Sequence, residues 1–330
     1  MKQVTLGQTS LRVSRMGLGC MGMSEFYGPS DDKESLAALE HALELGINFF
    51  DTADMYGHGH NEQLLGRFIK GKRNALVIAT KFGIVRKEKG AYQRTIDNSP
   101  SYVRQACEAS LQRMGIDHID LYFAHRLNPE QDTEAMMMEL GKLVKEGKIR
   151  AIGLSEVSAS QLKAAHAIHP VAVVQSEFSL WTRDIEKNGL LQTCRELGVS
   201  FVAYSPLGRG FLTGTITSTD ELDGTDFRRI SPRFQKGNLE HNLMLVDAVK
   251  TVAKKKCCSP AQIALAWVMS RGDDIIPIPG TRRKRHLEDN AGALSVDLLP
   301  GDIAYLEAIF DMHGAAGNRY PDEGMKGLPS

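Results

Sequence analysis

The amino-acid sequence predicts an α/β protein of the (β/α)8 TIM-barrel class, folded as a single domain over residues 1–330. Short apolar runs typical of buried strands alternate with helix-length segments along most of the chain. The alternation gives eight strand–helix units with no linker between them, which favours a barrel over an open sheet. The 330 residues are 42% hydrophobic and 24% charged, as expected for a globular domain of this size.

A small hairpin is predicted at the N-terminus, where Val4–Leu6 and Leu11–Val13 flank a Gly-Gln-Thr-Ser turn. We expect this hairpin to cover one end of the core. The strands of the eight units are then predicted, in order, at Met16–Cys20, Ile47–Phe50, Leu76–Thr80, Ile119–Ala124, Ile149–Leu154, Val171–Val174, Ser200–Ala203 and Asp274–Ile278.

The helices are predicted from apolar residues at helical spacing and from signals at their ends. Before the third helix, for example, Ser99 can cap, Pro100 suits the first turn, and Gly115 follows the last turn. The predicted helices are Lys33–Leu45, Asn61–Ile69, Ser99–Met114, Thr133–Glu146, Ser158–Ala167, Asn188–Leu197, Asn242–Lys255, Ser259–Ser270 and Arg283–Ala291, with Leu299–Phe310 as an extra C-terminal helix.

Two segments depart from this alternation. Ser205–Glu240 is a long loop rich in Gly, Thr, Ser and Asp, and a loop of this length in a compact domain is commonly functional. Asp311–Ser330 is a tail containing Gly and Pro, for which the sequence predicts no regular structure. The loop is therefore the first place to search for a binding site.

Charge and cysteine content limit the classes of function. Lys plus Arg and Asp plus Glu both number 40, so no overall basic field attracts nucleic acid or a membrane surface. The N-terminus lacks the apolar core of a signal peptide, and no stretch reaches the roughly 18 apolar residues that span a bilayer. The five cysteines lack C-x-x-C spacing, which predicts neither disulfides nor a metal site. We expect a cytoplasmic protein with free thiols.

Four polar side chains follow successive predicted strands, at the rim where barrel enzymes place catalytic groups. Asp51 and Lys81 follow the second and third strands, Tyr56 comes shortly after Asp51, and His125 follows the fourth strand. A lysine cation lowers the pKa of a nearby phenol, and a carboxylate can hold that lysine. We therefore expect Tyr56 to act as a general acid and His125 to orient the same substrate oxygen. A structural ion pair explains any one of these residues equally well, but not all four together.

Two loops after the last strands have the composition of phosphate sites. After strand seven, Gly208, Gly210 and Gly214 surround Arg209, so that backbone N–H groups can approach a phosphate and the arginine can pair with it. After strand eight, four cations lie at the start of a helix, where cations are unfavourable unless an anion binds: Arg282, Arg283, Lys284 and Arg285. Two adjacent phosphate sites indicate a dinucleotide, and a solvated basic turn is the alternative.

Three strand-end residues could contact such a cofactor. Tyr204 could stack on an aromatic ring, while Ser155 and Gln175 could hydrogen-bond an amide. Each of them alone is more often a satisfied strand-end residue, and their position after strands five to seven gives them weight. The loops also contain four aromatic residues that could wall an apolar pocket: Phe26, Tyr27, Phe82 and Trp181.

The segment Gly17–Gly22 matches the G-x-G-x-x-G pattern of dinucleotide-binding Rossmann folds. That fingerprint requires a helix to open on its third glycine. Here Met23–Pro29 intervenes, and the helix is predicted to start only near Asp31. The spacing and the eight strand–helix units therefore argue against a Rossmann domain.

These residues resemble the aldo-keto reductase superfamily, particularly its bacterial and plant branch, over essentially Met1–Phe310. The motifs that carry the resemblance are DTADMYG (Asp51–Gly57), ATKFG (Ala79–Gly83), YFAHR (Tyr122–Arg126), QSEFSLWTR (Gln175–Arg183), AYSPLGRGFLTG (Ala203–Gly214) and IPIPGTRRKRHLEDN (Ile276–Asn290). The resemblance implies a (β/α)8 barrel that uses NADPH/NADP to reduce a small-molecule aldehyde or ketone. It implies Tyr56 as the proton donor, Asp51 and Lys81 as the residues that tune it, and His125 as the residue that orients the carbonyl.

The resemblance also implies the cofactor contacts. Tyr204 would stack on the nicotinamide, and Ser155 and Gln175 would hold its carboxamide. The remaining contacts would come from Met21, from Ser205, Pro206, Leu207, Gly208, Arg209 and Gly210 at the pyrophosphate, from Gly280, Thr281 and Arg282 at the 2′-phosphate, and from His286, Asp289 and Asn290 at the adenine end. This chain departs from better-known members at Glu156, where many have asparagine, and at His286, where many have arginine.

Two alternatives to a reductase remain at the level of sequence. A nucleotide-binding regulatory or partner-binding subunit would keep the cofactor site without useful turnover, but it has less need of all four rim residues. An aldolase-like barrel would use Lys81 as a Schiff-base nucleophile, which its expected pairing with Asp51 disfavours because that pairing favours the charged amine.

Overall fold

A closed sheet of eight parallel strands forms the centre of the computed structural model, which describes residues 1–87 and 93–328. The strands pair in chain order: β1 (Leu18–Gly19), β2 (Phe49–Asp51), β3 (Val77–Phe82), β4 (Ile119–Ala124), β5 (Ile149–Ser155), β6 (Val171–Glu177), β7 (Ser200–Tyr204) and β8 (Ile275–Pro277). The first and last strands meet, because the Gly17 N–H donates to Pro277 O at 3.0 Å and Gly19 pairs in parallel with Gly280. The predicted barrel is confirmed.

Small residues at the seam allow the barrel to close. A Cβ on Gly19 would lie 3.0 Å from the carbonyl oxygen of Ile278, and one on Gly280 would lie 3.1 Å from that of Gly19. The next helix begins only at Asp32. Gly19 of the G-x-G-x-x-G segment therefore serves strand packing, in agreement with the spacing argument against a Rossmann turn.

The helices lie outside the sheet in the expected alternation. They are α1 (Asp32–Glu44), α2 (His60–Ile69), α3 (Pro100–Met114), α4 (Thr133–Lys145), α5 (Ala159–Ile168), α6 (Asp184–Lys187), α7 (Leu190–Glu196), α8 (Asn238–Lys256), α9 (Pro260–Ser270), α10 (Lys284–Gly292), α11 (Pro300–His313) and α12 (Asp322–Met325). Their ends follow local rules: Ser99 accepts a hydrogen bond from the Tyr102 N–H, and Gly115 takes a left-handed conformation.

Buried apolar side chains form two layers. Adjacent residues of β2 show the alternation, because Phe49 belongs to the layer inside the barrel and Phe50 to the layer between sheet and helices. The N-terminal hairpin pairs Gln3–Thr5 with Arg12–Ser14, as predicted. Its Leu6 joins the inner layer at the N-terminal ends of the strands. The opposite end, where the strands terminate, is left for the site.

The structure adds elements that the sequence pattern did not predict. Ile84–Val85 pairs antiparallel with Thr95–Ile96 beyond the end of β3. The one-turn helices α6 and α12 are also additional, and α12 lies in the tail where no regular structure was expected. Within the described ranges, no helix is long and apolar enough to cross a membrane.

Candidate active site

An ion pair lies fully buried at the ends of β2 and β3. Lys81 Nζ donates to Asp51 Oδ1 at 2.5 Å and to the carbonyl oxygen of Thr52 at 2.7 Å. The other carboxylate oxygen of Asp51 accepts from Gln175 Nε2 at 2.8 Å. Each oxygen of the Asp51 carboxylate therefore accepts a hydrogen bond, so the pair is fixed in orientation.

Tyr56 and His125 lie above this pair. Lys81 Nζ is 5.2 Å from the centroid of the Tyr56 ring, and the Tyr56 and His125 rings meet edge to face with centroids 5.9 Å apart. His125 Nδ1 is buried and has no hydrogen-bond partner among the described residues. The four predicted rim residues are thus brought together, with a phenol and an imidazole facing the same space.

Burial dominates the protonation of these groups. It raises the pKa of Tyr56 well above its ordinary value, and the Asp51 carboxylate adds to the rise. It lowers the pKa of His125 well below 6.5, and the Lys81 and Arg126 cations lower it further. Burial also lowers the pKa of Lys81, while Asp51 opposes that change. The expected low pKa of Tyr56 is therefore not observed in this structure, because desolvation is the largest influence on the phenol and raises its pKa. At neutral pH Tyr56 is a protonated phenol and His125 a neutral imidazole.

Arg126 is a cation of this site that the sequence argument passed over. It is buried beside His125, where it donates to the carbonyl oxygen of His125 at 2.6 Å and to Ser155 Oγ at 3.3 Å. Its position after β4 was visible in the YFAHR motif. Because the guanidinium is buried next to the imidazole, it helps to keep His125 neutral.

A cavity of about 850 Å³ opens over these groups along the C-terminal ends of the strands. A volume in this range is typical of ligand and cofactor sites. The predicted site residues that line it are Met21, Asp51, Tyr56, His125, Ser155, Gln175, Tyr204, Ser205, Pro206, Leu207, Arg209, Gly210, Gly280, Thr281, Arg282, His286, Asp289 and Asn290. Lys81 lies behind the wall. Of the aromatic residues suggested as walls, Phe26 and Tyr27 line the cavity, whereas Phe82 packs on Tyr122 and Trp181 on Phe211.

The loop after β7 is held in a tight conformation. Gly208 has a φ of +56°, and a Cβ there would lie 2.5 Å from Trp181 Cε3. Arg209 lies 3.4 Å from the buried Glu177 carboxylate and has its guanidinium over the Phe227 ring at 5.0 Å. Gly208 therefore packs outside the cavity, against Trp181, while Arg209 faces it.

The loop after β8 brings its arginines to the other end of the cavity. Arg282 reaches across to the loop after β1, where it donates to the carbonyl oxygens of Gly22 at 3.1 Å and Tyr27 at 3.3 Å. Arg283 and Arg285 also line the cavity and are exposed. Asp289 accepts from Ser259 Oγ at 3.0 Å. This end of the cavity is therefore basic.

Two buried carboxylates beneath the rim bind the C-terminal tail. Glu156 Oε1 accepts from Arg319 Nη2 at 2.6 Å and from the Tyr204 hydroxyl at 2.8 Å, and Arg319 Nε lies 3.4 Å from Glu177. Burial alone raises the pKa of a carboxyl, yet Arg319 and its neighbours hold the pKa of Glu177 at about 2. Tyr320 lines the cavity. The sequence argument missed Arg319 and Tyr320, because they belong to a tail without a periodic pattern.

The arrangement can bind an anionic ligand at its basic end and donate a proton at the other. The neutral imidazole and phenol can both hydrogen-bond one carbonyl oxygen. Both groups carry the hydrogen that such a bond requires, because the phenol is protonated and the imidazole is neutral at neutral pH. In the described residues, no group of three or more His, Cys, Asp or Glu side chains could hold a metal ion.

Comparison with known proteins agrees with the barrel fold. Residues 15–311 match the model of the Aldo/keto reductase family. The glycerol dehydrogenase of Gluconobacter oxydans is 29% identical, with a TM-score of 0.86 over 94% of this chain and 95% of that one. A thermostable aldo-keto reductase in complex with the inhibitor epalrestat is 28% identical, with a TM-score of 0.75 over 94% and 100%. The holo form of an aldo-keto reductase from Bacillus halodurans is 26% identical, with a TM-score of 0.75 over 96% and 98%.

Proposed function

Because the chain belongs to the aldo/keto reductase family, and is thereby an oxidoreductase, we propose that it reduces aldehydes or ketones to alcohols with NADPH. The observation that carries this proposal is the common position of Asp51, Lys81, Tyr56 and His125 at one end of the cavity. When bound in the cavity, NADPH would supply the hydride that the carbonyl carbon accepts. Tyr56 gives its phenolic proton to the carbonyl oxygen, while His125 hydrogen-bonds the same oxygen and orients it.

Lys81 and Asp51 support this step from behind the cavity wall. The ammonium lies under the Tyr56 ring, and its bonds to Asp51 and Thr52 fix its position. A cation there favours the phenolate that remains once the proton has left. The same two bonds favour the charged amine, which argues against Lys81 as a Schiff-base nucleophile.

We infer that the cavity holds a phosphorylated dinucleotide, because its far end is basic and its loops carry Arg209 and Arg282. Its pyrophosphate would lie against the loop 205–210, where Arg209 supplies a cation and the φ of +56° at Gly208 sets the turn. Its 2′-phosphate would lie against Arg282 and the N-terminus of α10, a helix whose N-cap residue gives no side-chain cap within the described chain. Tyr204, Ser155 and Met21 would contact the nicotinamide end.

The proposal is tested by NADPH oxidation with purified protein across aldehydes, ketones and quinones. We expect turnover with at least one carbonyl class, monitored as the loss of NADPH absorbance. Tight NADPH binding without oxidation of NADPH by any carbonyl would contradict the reductase and support the regulatory or partner-binding alternative.

The free cysteines of the chain are consistent with a cytoplasmic setting.

Arg282 should distinguish NADPH from NADH. Replacing it (Arg282→Ala) removes a charge-assisted contact to the 2′-phosphate, which is worth about 1.5–3 kcal/mol, or roughly tenfold or more in affinity. NADH binding should be unchanged, because NADH lacks that phosphate. Arg12→Ala, at an exposed arginine of the N-terminal hairpin outside the cavity lining, is the matched control and should leave both affinities unchanged. Equal losses for the two cofactors would contradict the role of Arg282.

A further inference from the structure

The chain beyond α11 returns to the active-site rim and is fastened there. Ala316 is held by both of its backbone groups, since its N–H donates to Asn242 Oδ1 at 2.8 Å and its carbonyl oxygen accepts from Asn242 Nδ2 at 3.0 Å. The Gly317 carbonyl oxygen accepts from Arg233 Nε at 3.3 Å. These contacts direct Arg319 and Tyr320, which follow after Asn318, into the rim. We call residues 316–320 the C-terminal strap.

Arg319 neutralises two carboxylates that have almost no access to water. The side chains of Glu156 and Glu177 are each 3% exposed. Glu177 also faces Arg209 and Arg233, at 3.4 and 3.3 Å, but Arg319 is the one salt-bridge partner of Glu156 in the described residues. A buried carboxylate without its partner is strongly unfavourable, so Glu156 depends mainly on Arg319 of the strap for its charge balance, with Arg126 as a second nearby cation.

The same contacts fix the Tyr204 ring. The Tyr204 hydroxyl donates to Glu156 at 2.8 Å and accepts from Arg319 at 2.9 Å. Its single proton is thereby used, so in the 2.8 Å contact between the two hydroxyls Tyr320 is the donor. Tyr204 lies at the end of β7 and lines the cavity. Its ring orientation is therefore set by two residues of the tail.

Tyr320 in turn forms part of the cavity wall. Its ring lies under the Arg209 guanidinium, 4.4 Å from the centroid, and 6.3 Å from the Phe227 ring. The Tyr320 ring thus packs on the loop after β7 and lines the same cavity as Tyr56 and His125. Removing it would open that space on the side of the tail.

We propose that Arg319 is a positioning residue for Tyr204, and that Tyr320 is a wall residue that selects the carbonyl substrate. This inference rests on the proposed reductase function. Arg319 acts through Glu156 and the Tyr204 hydroxyl, and it touches neither substrate nor cofactor. Tyr320 narrows the cavity beside the phenol, so bulky carbonyl compounds are excluded or oriented by its ring.

The test uses the full-length chain with four substitutions: Arg319→Ala, Arg319→Lys, Tyr320→Ala and the control Lys326→Ala. Lys326 is an exposed cation of the same tail, 70% accessible and outside the strap. NADPH affinity is measured by quenching of tryptophan fluorescence. KM and kcat are measured with one small and one bulky aldehyde. A melting curve for each variant reports whether it is folded.

For Arg319→Ala we expect roughly tenfold weaker NADPH binding, with partial recovery in Arg319→Lys and on adding free guanidinium. For Tyr320→Ala we expect a smaller loss of NADPH affinity than for Arg319→Ala, because Glu156 and Arg319 still hold the Tyr204 hydroxyl. We also expect a fall in KM for the bulky aldehyde relative to the small one. Lys326→Ala should match wild type. Unchanged NADPH affinity in Arg319→Ala, or a loss that neither lysine nor guanidinium reduces, would overturn the positioning role.

An unchanged KM ratio in Tyr320→Ala would overturn the wall role. If Arg319→Ala does not fold, Arg319→Gln, which removes the cation but keeps an amide donor, carries the affinity test, and wild-type affinity in that variant would also contradict positioning. The affinity measurement requires no turnover. Wild-type protein that binds NADPH but reduces no carbonyl would therefore contradict the proposed function while still testing the role of Arg319.

Discussion

Removing both partners of the Asp51–Lys81 pair should cost less stability than the two single removals added together. Lys81 is 0% exposed and Asp51 4% exposed at the side chain, and the two are 2.5 Å apart. Removing one partner of such a pair leaves a buried charge and typically costs about 3–5 kcal/mol. We therefore expect losses of this size in the free energy of unfolding for Asp51→Asn and for Lys81→Met. The double variant leaves neither charge, so its loss should be about 2 kcal/mol or more below the sum of the single losses.

Urea unfolding at neutral pH, followed by tryptophan fluorescence, gives the three free energies and hence the coupling between the two sites. The exposed pair Lys2–Asp273, with side chains 67% and 75% accessible, is the control, and Lys2→Met should change stability little. Single losses that simply add up in the double variant would refute the interpretation of the pair as a coupled buried unit.

The pH dependence of Asp51→Asn supplies a second check. Burial lowers the pKa of Lys81 from 10.5, and loss of the opposing Asp51 charge should lower it further. Between the folded pKa and 10.5 the unfolded chain binds more protons than the folded one, so stability rises with pH in that window. The difference in the free energy of unfolding between Asp51→Asn and wild type should therefore shrink as pH increases toward 10.5. A constant deficit would contradict the assignment of the cost to an uncompensated lysine cation.

Two further predictions follow from buried groups of the site. Burial holds the pKa of His125 in the folded protein well below 6.5, so the free energy of unfolding of wild type should fall as pH drops below 6.5. Urea unfolding of His125→Gln should show a weaker pH dependence of this free energy, and an identical pH dependence would contradict the argument. Gly208→Ala places a Cβ 2.5 Å from Trp181 at a φ of +56°, which should cost roughly 1–2 kcal/mol or more and weaken NADPH binding. Gly224→Ala, with no atom within 4 Å of its Cβ, is the control, and equal effects in both variants would contradict the packing argument.

Much of the fold follows from local signals in the chain. The apolar run Ile119–Ala124 has the same limits in the sequence argument and in the structure. Helix α3 is bounded by Ser99 and Gly115 as their capping preferences indicate. The strand-end rule also predicts that Asp51, Lys81, Tyr56 and His125 lie together, because parallel neighbours must terminate at one rim.

The remainder depends on contacts between distant parts of the chain. Arg319 and Glu156 are 163 residues apart, and nothing periodic in the tail announces that an ion pair joins them. The paired segments Ile84–Val85 and Thr95–Ile96 are two residues long, too short for an alternating pattern. The pKa of Tyr56 was predicted from its charged neighbour, whereas the degree of burial, which only the fold reveals, decides its direction.

The Gln175 side chain illustrates the same limit. Its position after β6 suggested a hydrogen bond to a cofactor amide, and its amide nitrogen donates to Asp51. Sequence placed this residue at the correct rim, but the partner depended on which neighbouring strand end its side chain could reach.

The role of Tyr56 is tested most directly by the rate of hydride transfer in Tyr56→Phe with NADPH already bound. The substitution removes only the hydroxyl of a buried side chain, so NADPH affinity should remain at the wild-type value. Loss of the proton donor should slow single-turnover carbonyl reduction by about 10²–10⁴-fold. Reduction at the wild-type rate by Tyr56→Phe would contradict the assignment of the acid.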